Sequence, residues 1–132
     1  MSVLVVDDDR QLVAALLELL GDLRLEASSA SDGATALQLL RGGLRPSVVL
    51  MDLVMPNTGG IELFAEMLAD PTLRGIPVIT MSGLKVDMRL PSRVHLEKPF
   101  GMNALVDALR TATGQQIAFT PEARPSRGSA SR

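Results

Sequence analysis

The sequence has no cysteine, no tryptophan and no tyrosine, and its 132 residues include only three phenylalanines and one histidine. Without cysteine the chain can form neither a disulfide framework nor a thiolate metal site, and a reducing cytoplasm is compatible with that composition. The scarcity of aromatic rings removes the stacking platforms on which single-stranded nucleic acids bind. We therefore expect a domain held together by its hydrophobic core and no nucleic-acid partner.

Long apolar runs and targeting patterns are missing as well. No hydrophobic stretch is long enough to cross a bilayer, and the N-terminus lacks the basic and apolar pattern of a signal peptide. Neither G-x-G-x-x-G nor G-x-x-x-x-G-K-[ST] occurs, which argues against a flavin or nucleotide binder. The formal net charge is −2, with the acidic excess in residues 1–114, and this sign disfavours nucleic acid. The sequence thus predicts a cytoplasmic protein without membrane association.

What the chain does contain is a regular alternation of apolar runs and amphipathic segments. With 46% hydrophobic residues, 132 residues are enough to bury one core. Five apolar runs predict β-strands, at residues 2–6, 23–27, 48–51, 77–81 and 94–97. The first and third runs lack polar alternation, which is typical of strands buried on both faces of a parallel sheet. We expect these two strands to be central neighbours and the thin run at 23–27 to lie at an edge.

Helical periodicity fills the gaps between the runs, at residues 10–20, 33–40, 61–68 and 102–109, with Gly21 as a C-cap. The third of these helices should bury Ile61, Phe64, Ala65 and Leu68. Residues 84–90 leave room for at most two helical turns before Pro91. The alternation predicts an α/β, flavodoxin-like, doubly wound five-stranded parallel sheet of order 2-1-3-4-5 with a short or missing fourth helix. Residues 1–114 should form this domain, and residues 115–132 a disordered tail.

Four predicted strands end in polar side chains, and in that order their ends share the carboxyl edge of the sheet, where ligands bind. The groups are Asp7, Asp8 and Asp9 after the first strand, Asp52 after the third, Ser82 after the fourth and Lys98 after the fifth. Clustered carboxylates without cysteine or a second histidine favour a hard cation, and Mg²⁺ is the best candidate. A nucleophile, a metal, an ammonium group and a hydroxyl are together the parts of a phosphoryl-transfer site with an aspartate acceptor.

Taken one at a time, these residues have simpler interpretations. The three aspartates after the first strand could cap the first helix and oppose its dipole, and for Asp9 that is the whole expectation. Asp52 could be a turn-forming aspartate, Ser82 a turn or cap residue, and Lys98 a solvated lysine. His95 would by default be a half-buried strand residue. Only their combination at one edge favours a functional site.

Five segments follow one another along the chain: LVVDDD, SASDGATALQLL, VVLMDLVMPNTGG, VITMSG and HLEKPF. In this order they resemble the receiver domain of two-component response regulators over residues 2–112. The resemblance implies that Asp52 accepts a phosphoryl group from a partner's phosphohistidine. It implies that Ser82 and Lys98 contact the aspartyl phosphate and that His95 acts as the switch. The implied Mg²⁺ ligands are Asp7, Asp8, Asp52 and the backbone carbonyl of Val54.

Three features depart from that family. The fifteen residues between Ser82 and Lys98 are fewer than its members usually have, which puts the usual output face in doubt. His95 stands where Tyr or Phe is usual, so an ionisable ring could make the switch sensitive to pH. Val54 and Leu84, two residues beyond the implied acceptor and hydroxyl, are apolar where the family often has polar side chains. Because apolar groups neither orient nor readily admit an attacking water, self-dephosphorylation should be slow.

The expected function is that of a stand-alone, phosphorylation-switched signalling module, monomeric or transiently dimeric. Its partners would be a sensor histidine kinase or a His-phosphotransfer protein and an unknown downstream protein. It would promote only its own phosphorylation and dephosphorylation. Two alternatives stay open: a pseudo-receiver that binds proteins without phosphorylation, and an aspartyl-phosphate phosphatase. The second is weakened by Val54, which occupies the position where such a phosphatase needs a second acid.

Overall fold

The structure, a computed structural model, describes residues 1–55, 59–83 and 94–119. Up to residue 83, strands and helices alternate as the sequence predicts, and one more strand and one more helix follow residues 84–93, which lie outside the described residues. The strands are β1 (Ser2–Val6), β2 (Glu26–Ala30), β3 (Val48–Asp52), β4 (Val78–Ser82) and β5 (Val94–Glu97). The helices of the described part are α1 (Arg10–Asp22), α2 (Gly33–Arg41), α3 (Gly60–Ala69) and α4 (Met102–Thr113). None of these helices is both long and apolar enough to span a membrane.

The five strands form one parallel sheet in the order β2-β1-β3-β4-β5. This confirms the predicted order, with the two richest apolar strands, β1 and β3, as central neighbours. Their register pairs Val3 with Val48 and Val6 with Met51. All five residues of β3 are buried, which explains why its sequence lacks polar alternation.

A pair of helices covers each face of the sheet. Residues of α1 and α4 form one core layer, and residues of α2 and α3 form the other. Within β1, Val3 and Val5 point into the first layer, while Leu4 and Val6 point into the second. In β1 and β3, which are covered on both faces, polar side chains therefore lie only at the ends of the strands, at Ser2 and Asp52.

The predicted boundary between α1 and β2 is wrong by a few residues. Helix α1 runs through Gly21 to Asp22, and β2 begins at Glu26 instead of at residue 23. The turn is made by Arg24, which has a positive φ of 62°, so this non-glycine residue takes the left-handed role expected of glycine. Leu25 is drawn into the core layer of α1, and its N–H donates to Leu20 O at 3.0 Å. The apolar residues at the start of the predicted strand therefore belong to a turn that packs against the core layer of α1.

The buried face of α3 is also displaced from the predicted one. The buried residues are Gly60, Leu63, Phe64 and Met67. Of the predicted residues only Phe64 is among them, because Ala65 is exposed and Ile61 and Leu68 are 39% and 43% exposed. The cause is Gly60, where a Cβ atom would lie 2.9 Å from the carbonyl carbon of Asp52 and still closer to its oxygen. Only a residue without a side chain can take this position, so Gly60 sets the rotation of the helix about its axis.

Two predictions concern residues outside the described part of the chain. Leu84 and the predicted short or missing fourth helix lie within residues 84–93, and most of the predicted tail lies within residues 120–132. Within the described part, packing continues past residue 114, because Ile117 is buried among the side chains of α1 and α4. Arg110 of α4 holds this segment by donating from Nη2 to Ile117 O and Phe119 O.

Candidate functional site

The topology brings four strand ends to one edge of the sheet. Asp7 directly follows β1, Asp52 and Ser82 are the last residues of β3 and β4, and Lys98 directly follows β5. The register aligns Asp52 with Met81 and Ser82 with Glu97, so these ends are level with one another. The predicted meeting of distant polar residues at the carboxyl edge is therefore present in the fold.

Three carboxylates form an acidic cluster at this edge. Asp7, Asp8 and Asp52 each offer an oxygen within 4.8 Å of the others. Asp7 and Asp52 are only 2% and 7% exposed, while Asp8 is open to solvent. A set of hard oxygen donors with one side open to water fits a cation such as Mg²⁺, which keeps several of its waters in proteins.

Lys98 contributes an ammonium group to the same cluster. Its Nζ lies 2.7 Å from Asp7 Oδ2 and 3.3 Å from Asp52 Oδ2. Burial acts in the opposite direction, but the hydrogen bond and the charge of Asp7, followed by those of Asp52, raise the pKa of Lys98 above its usual range. The side chain is therefore a fixed positive charge beside two buried carboxylates.

Asp52 is buried beside Asp7 and Lys98. Burial raises the pKa of Asp52, and the nearby charge of Asp7 adds to the effect. The Val54 N–H, which donates to Asp52 Oδ1 at 3.1 Å, and the Lys98 ammonium act in the opposite direction. Val54 itself is 62% exposed. A desolvated carboxylate at the mouth of the site is suited to nucleophilic attack on an electrophilic phosphorus.

Asp9 stands apart from the cluster. Its Oδ1 accepts hydrogen bonds from Gln11 N and Leu12 N, both at 3.1 Å, so it is the N-cap of α1. Its own N–H donates to Asp7 Oδ1 at 2.9 Å, which orients the buried carboxylate. The simpler interpretation offered for this aspartate is confirmed, and the helix cap and the acidic cluster are joined through one hydrogen bond.

Ser82 and His95 are brought together by the register of β4 and β5. Ser82 is fully buried, and its Oγ lies 3.2 Å from Nε2 of His95. The other ring nitrogen, Nδ1, lies 2.7 Å from Oγ1 of Thr80. Thr80 was not singled out from the sequence. It could have been found from the alternation of β4, because residues 80 and 82 share a face and Thr80 pairs with His95 in the sheet.

A model of the response regulator receiver domain matches residues 3–110. The chain belongs to this family. Protein Rrf1 of Nitratidesulfovibrio vulgaris is 27% identical to this receiver domain over 125 residues, which cover 91% of this chain and 90% of Rrf1. Response regulator PleD of Caulobacter vibrioides is 38% identical over 82 residues, which cover 62% of this chain but only 18% of PleD. The fold matches that of Vibrio cholerae chemotaxis protein CheY4 with a TM-score of 0.78 at 23% identity, covering 84% of this chain and 97% of the other.

Membership in the family establishes the general function. Receiver domains serve phosphorylation-switched signalling in two-component systems and interact with histidine kinases or phosphotransfer proteins. They are signalling proteins and not classical enzymes, and they bind Mg²⁺ at an acidic site. The acidic cluster of this receiver domain could hold such an ion. The phosphatase and pseudo-receiver alternatives are not favoured.

Proposed function

We propose that this receiver domain acts in the cytoplasm, that Asp52 is its phosphoryl acceptor and that the donor is the phosphohistidine of a sensor histidine kinase or His-phosphotransfer protein. A carboxylate oxygen of Asp52 would attack phosphorus, the P–N bond to the donor imidazole would break, and the imidazole would take up a proton as it leaves. The product is an aspartyl phosphate. The observation that carries the proposal is the convergence of Asp52, Asp7 and Lys98 within 2.7–3.3 Å contacts at one edge of the sheet.

The neighbouring groups divide the remaining tasks. Asp7, Asp8, Asp52 and the backbone carbonyl of Val54 would hold Mg²⁺, which supplies charge neutralisation for the transferring phosphoryl group. Lys98 would pass from pairing with the carboxylates to pairing with a phosphoryl oxygen, since its Nζ already lies beside Asp52. Ser82 would donate a hydrogen bond to another phosphoryl oxygen. All the residues in these roles lie at or next to the carboxyl ends of β1, β3, β4 and β5.

The scope of the chemistry is narrow. In this proposal the domain transfers a phosphoryl group to its own aspartate and loses it again by hydrolysis. The side chain two residues beyond the acceptor is Val54, which has no proton to give to the leaving group of a phosphate ester. The meeting of Asp7, Asp52 and Lys98 at one edge of the sheet supports phosphorylation over protein binding alone.

The test is to incubate the protein with acetyl phosphate and Mg²⁺ and to measure its intact mass. The expected result is one phosphoryl adduct that an Asp52→Asn variant cannot form. Asp9→Asn is the matched control, because Asp9 lies two residues from Asp7 but serves as a helix cap, and this variant should keep the adduct. An adduct on the Asp52→Asn protein, or no adduct on any of the three, would overturn the proposal.

A further inference from the structure

Arg10 places a positive charge beside the acidic cluster. It directly follows Asp9, the N-cap, and is therefore the first residue of α1. Arg10 is exposed, and it lines a small cleft between α1 and the end of β2 together with Asp7 and Ser31. Asp7 also belongs to the acidic cluster, so the cleft and the cluster adjoin each other at the carboxyl edge of the sheet.

The charge of Arg10 is not used inside the described part of the domain. Within the described residues, the ion pairs of the acidic cluster are those of Lys98 with Asp7 and Asp52. Arg10 forms neither an ion pair nor a side-chain hydrogen bond with any residue of these ranges. Its position gives no advantage to the helix either, because a cation at a helix N-terminus opposes the helix dipole. The guanidinium group is therefore available to an anion from solvent.

An anion has to approach this edge before a phosphoryl group can be transferred. The donor carries negative charge, and the cluster that receives it sets three carboxylates against the single ammonium group of Lys98. The charge of Lys98 is already paired with Asp7 and Asp52, which weakens its attraction for a distant anion. A cation at the rim of such a site raises the local concentration of an anionic substrate and its rate of association.

We propose that Arg10 is a steering residue, whose charge attracts the anionic phosphodonor toward Asp52 without taking part in the transfer itself. This inference rests on the proposed function, because it requires that the phosphoryl group travels to Asp52. Arg10 acts before any bond forms or breaks. Its influence therefore belongs to the bimolecular rate constant of phosphorylation, and it weakens as salt screens the charge.

The experiment measures this rate constant with acetyl phosphate, by intact mass and at saturating Mg²⁺. Arg10→Gln should lower it about two- to fivefold at low ionic strength, as expected when one charge near the path of a divalent anion is removed. The difference should vanish near about 1 M salt, where the Debye length is only about 3 Å. Arg10→Lys keeps the charge and should retain most of the wild-type rate.

Arg74→Gln is the matched control. Arg74 is exposed and lies in the segment before β4, at the amino ends of the strands and away from Asp52, so this variant changes the net charge equally without touching the carboxyl edge. It should keep the wild-type rate constant. An Arg10→Gln rate equal to that of the wild type at low salt, or an equal loss in Arg74→Gln, would overturn the proposal.

A second measurement distinguishes steering from damage to the acidic cluster. Titration calorimetry with Mg²⁺ alone compares the affinities of the wild type and Arg10→Gln. Because removal of a positive charge favours a cation, Arg10→Gln should bind Mg²⁺ at least as tightly as the wild type, and weaker binding would overturn the proposal. Failure of the proposed function has a different signature, which is the absence of any acetyl phosphate adduct on the wild type, and the steering role would fall with it.

Discussion

At the scale of single residues, the acidic cluster holds carboxylates in a buried environment, which is unfavourable for the stability of the fold. Asp52 is 7% exposed, ends a strand that is buried along its whole length, and lies beside a second carboxylate. Lys98 offsets part of this repulsion, but it is shared between Asp7 and Asp52. Asp52, the residue on which the proposed chemistry depends, therefore lowers the free energy of unfolding of the domain.

This leads to a prediction about pH. Because burial makes the pKa of Asp52 higher in the folded protein than in the unfolded chain, the folded state binds the proton more tightly, and lowering the pH stabilises it. In metal-free buffer, Asp52→Asn should therefore raise Tm by roughly a few degrees at about pH 8. The gain should shrink as the pH falls through the raised pKa toward the ordinary value near 3.8. Lys98 keeps Asp7 as its partner in the variant.

Thermal unfolding followed by circular dichroism across this pH range provides the measurement. Asp9→Asn serves as the control, because asparagine is also a good helix cap and Asp9 is exposed. A gain in Tm from Asp52→Asn that is the same at every pH, or a loss at high pH, would contradict the prediction.

Val54 provides a second prediction at this scale, on the lifetime of the aspartyl phosphate. Val54 is 62% exposed and its N–H donates to Asp52 Oδ1, so the residue lies next to the proposed acceptor without being part of the core. Val54→Asn replaces an apolar group with one that can hold a water by hydrogen bonds, and the adduct should decay faster by several-fold. Leu84, the other apolar residue expected to slow self-dephosphorylation, lies outside the described residues.

The decay is measured by intact mass after acetyl phosphate has been removed. Val54→Ile is the matched control, since it is also β-branched and apolar, and it should keep the slow decay. Equal decay rates for the Asn and Ile variants would show that the polarity of residue 54 has no influence on hydrolysis.

At the scale of elements, Gly60 joins the candidate site to helix α3. A Cβ atom at this position would overlap the backbone carbonyl of Asp52. Gly60→Ala must push the first turn of α3 away from β3, and overpacking of this kind costs about 1–3 kcal/mol. Because the displaced carbonyl belongs to Asp52, the proposed acceptor, formation of the adduct with acetyl phosphate should slow as well.

The control for this prediction is Gly21→Ala. Gly21 lies within α1, is exposed, and has nothing within 4 Å of an added Cβ atom, so alanine should stabilise the helix by up to about 1 kcal/mol. Urea unfolding of both variants gives the two free energies of unfolding. If Gly60→Ala is as harmless as Gly21→Ala, the close approach of α3 to Asp52 is not what orients the helix.

The strands and helices differ in how well the sequence predicts their positions in the fold. The apolar runs of β1 and β3 predicted their central places, because burial on both faces leaves no room for polar alternation. The burial of Ile61 and Leu68 was wrongly predicted, because the rotation of α3 is set by a backbone contact with a distant strand. Thr80 was missed for a related reason, since its contact with His95 depends on the register of two strands.

The site was predicted more completely than the helix faces. Its groups follow directly from strand ends, and a parallel sheet gathers its carboxyl ends at one edge whatever the details of packing. That argument alone predicts that Asp7, Asp52 and Lys98 lie together, and Lys98 Nζ does contact both carboxylates. It could not give the contact of Lys98 with both carboxylates, because the position of a long side chain depends on local geometry that no periodicity encodes.

At the scale of the whole molecule, the body of the domain is completed by residues beyond the last helix. Ile117 is 5% exposed and belongs to the core layer that α1 and α4 build on one face of the sheet. Phe119 packs against the same layer, and Arg110 fixes the segment through two backbone carbonyls. Composition alone predicts the end of the domain at residue 114, because the sequence beyond Gly114 shifts to Pro, Ser, Arg, Ala and Gly.

Ile117→Ala should accordingly destabilise the whole domain. Removing a buried isoleucine side chain from a packed core costs about 2–5 kcal/mol, and Ile117 lies among core side chains of two helices. Gln116→Ala is the neighbouring control, because Gln116 is exposed and its replacement should change the free energy of unfolding by less than about 0.5 kcal/mol. Urea unfolding compares the two variants.

The core layer of Ile117 includes none of the acidic cluster, so both variants should still form the acetyl phosphate adduct where they are folded. Equal stability of the two variants would mean that the domain does not depend on the chain beyond α4.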